Sequence, residues 1–455
     1  MVPLNGSRSR LARSSAIAAL ALLAASSGIG QAAPAWTPTD RAAALQAINT
    51  AGSGAAAPLP ALDDEALGKL TERYASRELG QRLRPAEVDR LWALAPAPHN
   101  VAAELDAARA AGRLAEWLRQ LEPVESGYQT LLTAVDRYRG IVAAGGWRSL
   151  PSGGALQEGD RDPGVAQLRA RLAAEGYSAG SSGDSVSFDA GLRRALADFQ
   201  RRHELAADGV ANVQTRAALN IDAEHRLAQI EVNLERWRWL PHELPASRVE
   251  VDIAGAEARV FEAGREVLSM KVVVGDPRHR TPMFASRLEA VVFNPPWNVP
   301  ASIASEEILP KAAKDPDYLA ANDFISLDGR LQQKAGPKSA LGQYKFDLHS
   351  PFGVYLHDTP SKKAFGRRAR ALSHGCMRLE KPRALAELLL TPQGWTSAAI
   401  AAAVAGGKTQ VVVLKTPLPL LVTYWTAVAD ASGQVEFRPD VYGWDRKLQE
   451  ALVGG

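Results

Sequence analysis

A single thiol, Cys376, stands among 455 residues. It closes the tetrad Ser373-His374-Gly375-Cys376, and His357 lies upstream with fifteen residues between it and Ser373. Nucleophilic thiol chemistry needs a base to take the proton, a neighbour that favours thiolate, and backbone N–H groups able to approach an oxyanion. His357 is the natural base and His374 the next candidate. Gly375 leaves room for backbone donors beside the nucleophile, and Arg378 adds a positive charge two residues on. The stretch Glu380 to Leu390 reads as a helix, so the thiol is expected at a loop or helix start where the dipole also favours thiolate. The plainer alternative is a buried cysteine acting as a small hydrophobe. With one cysteine, an internal disulfide and any multi-cysteine metal or iron–sulfur site are excluded. A zinc site from His349, His357, His374 and Cys376 is conceivable. No H-E-x-x-H or similar spaced set exists, so no metal or organic cofactor is expected. His99, His203, His225, His242 and His279 show no partner pattern.

The elements that must hold these residues change character along the chain. From Arg248 the apolar residues alternate, with Val249, Val251 and Ile253 against Glu250 and Asp252. Later short runs occur at Met270–Val274, Val291–Phe293, Lys345–Leu348, Gly353–His357 and Val411–Leu414. This predicts a β-rich domain over about 246–417, interrupted at 298–342 by a helix-like piece and polar loops, the size of a lid or capping subdomain. Residues 418–455 read as a C-terminal extension. Upstream, 223–245 is expected to be a connecting helix, with Leu227, Ile230, Leu234, Trp237 and Leu240 on one face. Residues 151–222 begin with a Gly/Pro/Asp-rich linker and continue as three short helical stripes, carrying Val165, Leu168 and Leu172, then Leu192, Leu196 and Phe199, then Thr215 to Leu219. Residues 33–150 are Ala/Leu-rich and read as a scaffold of amphipathic helices. The fold class expected is multidomain α+β.

The front of the chain reads as an address. Arg8, Arg10 and Arg13 precede an uninterrupted apolar run from Ala16 to Ala25, then small residues at Gly30 and Ala32. Residues 1–32 are expected to be a secretory signal cleaved near Ala32, with an uncleaved anchor as the alternative. The formal charge of +3 comes from those three arginines, so net charge lends no support to a nucleic-acid partner.

The chemistry-bearing residues carry a resemblance. Tyr355-Leu356-His357-Asp358-Thr359-Pro360 followed by Ser373-His374-Gly375-Cys376 resembles the YkuD-type L,D-transpeptidase signature. NLERWRWLP (233–241), VVVGDPRHRTP (272–282), FNPPWNVPASI (293–303), AGPKSALGQYKF (335–346), YWTAVAD (424–430) and FRPDVY (437–442) resemble the larger YcbB branch of that family. Phe199-Gln200, Asp208-Gly209 and Thr215 resemble a PG_binding_1-type peptidoglycan-binding module. Asn212 stands there where that family has glycine, and asparagine's tolerance of positive φ is expected to preserve the turn.

The resemblance implies that Cys376 attacks the carbonyl after the third residue of a peptidoglycan tetrapeptide stem and expels D-alanine. His357 serves as base and then acid, and the side-chain amine of a second stem resolves the thioester. It implies an oxyanion pocket from the backbone of His374, Gly375 and Cys376, with Ser373 in the same loop. Arg378 occupies the place of the asparagine in general forms of the signature and could hold a substrate carboxylate. Tyr355, Asp358, Trp297 and Asn294 are cleft candidates, and Trp297 and Tyr355 serve equally well as packing. Whether the Asp358 carboxylate or a backbone carbonyl orients His357 stays open. Also implied are peptidoglycan stems and glycan as partners, other cell-wall synthases beside them, an envelope location, a part in wall biogenesis and cell shape, and acylation of Cys376 by carbapenems. The alternatives are an L,D-carboxypeptidase or endopeptidase, a protein-to-wall ligase, or a non-catalytic wall-binding protein. Between Asp358 and Arg383, eight basic residues face two acids, a charge that would attract carboxylate-bearing stems or form a solvated loop.

Overall fold

The computed structural model describes residues 35–52, 62–180 and 183–454. The segment read as a secretory signal lies outside them.

The alternating region folds into a closed barrel. Its strands are β1 (Arg248–Asp252), β2 (Glu257–Glu262), β3 (Arg265–Gly275), β4 (Met283–Phe293), β5 (Tyr344–Leu348), β6 (Leu356–His357), β7 (Met377–Leu379) and β8 (Gln410–Thr423). Hydrogen-bonded neighbours take the order β4-β8-β1-β2-β3-β7-β6-β5, and β5 pairs back onto β4. Closure leaves no free edge among these strands. The interior holds one set of the alternating residues, including Val251, Val272, Val291, Phe346, Leu356, Met377, Leu379 and Val422, all buried. Their neighbours in sequence face outward, and the site is built on that outer face.

Three expected boundaries fall differently. β8 runs from Gln410 to Thr423 without a break at 417/418, with only a register irregularity between Val413 and Leu418. The chain beyond β8 belongs to the same core: Tyr424, Tyr442 and Trp444 are buried with the barrel residues. A "C-terminal extension" is therefore the wrong description. The reason it misled is that β8 pairs with β1, about 170 residues earlier in sequence. Second, the region read as scaffold supplies a strand of its own, Trp92–Ala93, which pairs in parallel with Met283 and Phe284 at the start of β4. Third, the helix Ala223–Arg238 is buried on more than one face. The Gln229 amide donates to the carbonyls of Thr426 (2.9 Å) and Arg438 (3.1 Å). On another side the Arg238 guanidinium pairs with Glu78 at 3.1 Å and contacts the Tyr128 hydroxyl at 3.0 Å. Many of its polar residues face protein, though Glu224 and His225 near its start are exposed, so periodicity alone showed only one of its buried faces.

The three helices Pro163–Ala174, Ala190–Arg202 and Val213–Leu219 enclose a separate core around Leu168, Leu196 and Phe199. Asn212 has φ −75° and caps the third helix, its side chain accepting from the Thr215 N–H at 3.0 Å. The expected positive-φ turn is thus absent at Asn212, which serves as an N-cap instead. The insertion at 298–342 is a small subdomain. Helical turns from Ala301 to Ala321 pack Val299, Ile308 and Phe324 over a three-stranded sheet of Trp297–Asn298, Arg330–Gln333 and Phe324–Leu327. Among the described residues no helix is long and apolar enough to cross a membrane.

Candidate active site

Strand register brings the chemistry-bearing residues together. β6 lies between β7, which runs parallel to it, and β5, which runs antiparallel. His357 is opposite Arg378 on one side and Lys345 on the other. Side chains alternate along strands, so Tyr355 and Cys376, two residues before His357 and Arg378, extend the same outer face. The result is a row across three strands: Cys376 and Arg378 on β7 and its lead-in, Tyr355 and His357 on β6 and its lead-in, and Lys345 on β5. Inward neighbours Leu356, Met377 and Phe346 are completely buried and fix the register.

The loop before β7 is held by its own polar groups. The Ser373 hydroxyl donates to the Cys376 carbonyl at 2.6 Å and accepts from the Gly375 N–H at 3.1 Å. Gly375 has φ +105°, a conformation that a side chain would strain. The Thr281 hydroxyl donates to the Gly375 carbonyl at 2.8 Å and accepts from the Gly275 N–H at 2.9 Å. The Tyr442 hydroxyl in turn accepts from the Thr281 N–H at 3.2 Å and donates to the Gly275 carbonyl at 2.6 Å. Ser373 therefore shapes the loop, and its bond to Gly375 already occupies one N–H of the expected oxyanion pocket.

Burial decides the protonation of the pair. It lowers the His357 pKa to about 3, aided by the Arg378 charge, so the imidazole is neutral at ordinary pH. It pushes the Cys376 thiol above its usual value; the Tyr355 backbone N–H and hydroxyl, Arg378 and Lys345 pull the other way without cancelling it. The influences expected to favour thiolate are thus outweighed by burial, which leaves a neutral thiol beside a neutral imidazole. The helix dipole does not intervene, because Cys376 leads into strand β7 and the next helix starts only at Pro382. His357 Nδ1 is buried without a well-aligned hydrogen-bond partner. The backbone carbonyls of Asp358 and Leu341 lie close enough to favour the protonated ring. Neither is aligned for a full hydrogen bond, and the ring is held by packing against Tyr355.

Two cleft candidates are placed elsewhere. The Asp358 carboxylate accepts from the N–H groups of Gln343 (2.8 Å) and Thr359 (2.7 Å) and pairs with Lys362. It sits against Gly342, where a Cβ would lie 2.4 Å from the carboxyl carbon. It pins two loops together, and its carboxylate does not orient His357. The Asn294 side-chain amide donates to the carbonyls of Ala403, Val404 and Lys408 at 3.0–3.3 Å, closing the end of the helix Ser397–Ala405. The other two candidates reach the site. The Tyr355 ring stands edge-on to His357 at 5.6 Å, and its hydroxyl lies against Cys376 and the Trp297 indole. Trp297 opens the insertion, so the small subdomain caps the row.

The cap makes a second contact that the sequence did not announce. Glu307, in a one-turn π-helix at Ala304–Ile308, pairs with His374 Nε2 at 2.7 Å. His374 packs on His279 at 4.4 Å, and His279 is bonded to Asp276 at 3.1 Å. His374 is therefore committed to the cap and the loop rim. Lys345 was also missed; its signal was the period-2 pattern of β5, which put it outward at the strand beside His357. Arg378 Nε is buried with no partner, and burial lowers the guanidinium pKa. Among the described residues no group of three or more His, Cys, Asp or Glu could hold a metal ion.

Comparison with known families fits this geometry. Residues 246–413 match the family described as "L,D-transpeptidase catalytic domain". That stretch of the chain is thus similar to an L,D-transpeptidase catalytic domain. Residues 161–219 match a "Putative peptidoglycan binding domain" and residues 9–134 a "Scaffold domain", the latter span beginning inside the segment read as a signal. A curated protein of Haemophilus influenzae, "Putative L,D-transpeptidase", is 34% identical over 248 residues, covering 50% of each chain. The chain thus spans about half the length of that relative. Among solved structures, an L,D-transpeptidase from Mycobacterium smegmatis is 17% identical, covering 39% of this chain and 58% of its own, with a TM-score of 0.22. L,D-transpeptidase 3 from Mycobacterium tuberculosis is 16% identical, covering 39% and 61%, with a TM-score of 0.23. The matched stretch supplies Cys376, His357 and Arg378 from one barrel face, and its cap reaches the site through Trp297 and Glu307.

Proposed function

We propose that this protein forms 3-3 cross-links in peptidoglycan, as an L,D-transpeptidase of the YcbB branch acting in the cell envelope. The observation that carries the proposal is the row Cys376, Tyr355, His357, Arg378 on one face beneath the cap. A neutral thiol and a neutral imidazole form the competent pair. As a stem enters, the proton moves from Sγ to His357, and the cations Arg378 and Lys345 favour the thiolate that results. Sγ attacks the carbonyl of the third stem residue, and the oxyanion is met by backbone N–H groups of the loop, with the Gly375 N–H shared with Ser373. The imidazolium then protonates the leaving D-alanine amine, and the thioester passes to the side-chain amine of a second stem. Neutral reactants suit a buried site, because charge appears only as the bond forms. The module at 161–219 would hold the domain on its insoluble substrate.

The test is mass spectrometry of the soluble muropeptides formed by the protein from a disaccharide-tetrapeptide, with Cys376→Ala as control. A dimer lacking one D-alanine, absent from the control, is the expected product. Tripeptide alone would identify water as the acceptor and make the protein an L,D-carboxypeptidase. If neither product forms and Cys376 takes no carbapenem adduct, the proposal fails.

A further inference from the structure

We propose that Lys345 is a specificity-determining residue that reads the free carboxylate of the donor's terminal residue. The inference rests on the functional reading above and deepens it. The order of groups across the barrel face is nucleophile on the β7 side, acid/base on β6, and Lys345 on β5. Adjacent strands lie about 4.8 Å apart. During acylation the scissile bond is flanked by Sγ on its carbonyl side and by the imidazole on its nitrogen side. The leaving nitrogen therefore faces His357, and whatever is attached to it extends away from β7. In a tetrapeptide donor that attachment is one residue ending in a carboxylate, two bonds from the nitrogen. A carboxylate at that reach lies within ion-pair distance of a cation on the next strand.

Lys345 is the cation there. It is the register partner of His357, and its ammonium lies 4.7 Å from the centre of the Tyr355 ring, the same ring that contacts Cys376. The side chain is three-quarters covered, with Asp347 as its ion-pair partner at 2.6 Å. Asp347 is itself more exposed and lies two residues on along β5, so a substrate carboxylate would share the ammonium with it. Arg378 cannot take the same role, because it stands on the nucleophile's strand and on the acyl side of the bond. The two cations thus bracket His357 and divide the substrate between them. Arg378 faces the part that becomes the thioester and Lys345 the part that leaves. A free terminal carboxylate marks a stem trimmed to four residues. Longer stems and cross-linked donors lack it at that place, so Lys345 would select trimmed donors.

The experiment compares two donors, disaccharide-tetrapeptide and the same compound with its terminal carboxylate converted to the amide. Wild type is expected to prefer the free acid by about 10–100-fold in kcat/KM, the usual weight of a hydrogen bond to a charged group. Lys345→Gln is expected to lose that preference through a raised KM, and Lys345→Arg to keep most of it. Alkylation of Cys376 by iodoacetamide is measured on the same variants and reports how far loss of the Lys345 charge slows the thiol itself, an effect common to both donors. That readout separates carboxylate recognition from a general effect on the thiol or the fold. If Lys345→Gln keeps the acid-over-amide preference, slowing both donors by the same factor as alkylation, the proposal is overturned. If wild type turns over both donors equally, the proposal is also overturned while the functional reading stands. Turnover of neither donor, with no carbapenem adduct on Cys376, would remove both.

Discussion

The peptidoglycan-binding module and the barrel rim each carry a short sequence signature, and the two signatures are built in opposite ways. In the module, Gln200 is fully buried and uses its polar atoms within the fold. Its amide donates to Asp208 (2.9 Å), the Val210 carbonyl (2.9 Å) and the Thr215 hydroxyl (3.0 Å), and its carbonyl accepts from the Gly209 N–H (2.7 Å). The residues that make the module recognisable are thus the joints of a loop. At the barrel rim, His357 Nδ1 and Arg378 Nε are buried without partners, and the Cys376 thiol is held protonated by burial. Buried polar atoms without partners are costly and rarely persist without a use. A signature can therefore record architecture or chemistry; buried unpaired atoms occur in both regions, among them Arg171 Nη2 and His203 Nε2 in the module, and it is the placement of His357 and Arg378 beside Cys376 that marks the rim.

Substitutions can break or sharpen that contrast. The largest effect is expected from Cys376→Ala, which should abolish thioester formation while leaving thermal unfolding unchanged; intact-mass analysis after carbapenem treatment reads it. His357→Gln should slow acylation by about 10²–10⁴-fold, the usual contribution of a general base. Its acidity supplies a second readout. With the wild-type imidazole neutral down to about pH 3, the acylation profile should show no limb near pH 6.5. Stability should fall as pH drops from 6.5 towards 3, since the unfolded chain takes the proton first, by at most about 1.4 kcal/mol per unit. His357→Gln should reduce that slope, and a profile with a limb at 6.5 would contradict the neutral pair. Gln200→Ala should do the reverse of Cys376→Ala. It should destabilise the module by about 2–4 kcal/mol, leaving several buried groups unpaired, while turnover of soluble muropeptides stays at wild-type rate. Denaturant unfolding and the muropeptide assay decide it. The smallest effect is expected from Glu307→Gln. Its pair with His374 is partly exposed, so a change of about 2–5-fold in turnover is expected, with no change in stability.

The range of the interactions involved decided how much the sequence disclosed. Cys376, His357 and Arg378 sit in short runs whose types and spacing are local, and the strand register sets His357 opposite Arg378. The helices of the module were visible because their apolar stripes repeat within a dozen residues. Features that stayed hidden depend on distant partners. Residues 418–455 belong to the barrel because β8 pairs with β1 and β4. Trp92 is an edge-strand residue only through its pairing with β4. Asn294 looked like a cleft residue because it sits beside Trp297, yet its left-handed conformation (φ +48°) turns the amide to a helix more than a hundred residues on. Asp358 adjoins the base in sequence and points away from it, as alternation along a strand requires. Lys345 and Glu307 escaped notice because their significance arises only when β5 and the cap are laid against β6 and the loop.

The bonds from Tyr442 through Thr281 to Gly375 have a consequence in time. Residues 275, 281 and 375 are made well before residue 442, so the Tyr442 hydroxyl is the last of these groups to be synthesised. Without the later segment, Thr281 and Gly275 keep their own hydrogen bond and lack only the second tie through the Tyr442 hydroxyl. A chain cut before residue 442 would thereby keep the bonds the nucleophile loop makes through Ser373 and Thr281 and lose only the brace behind them.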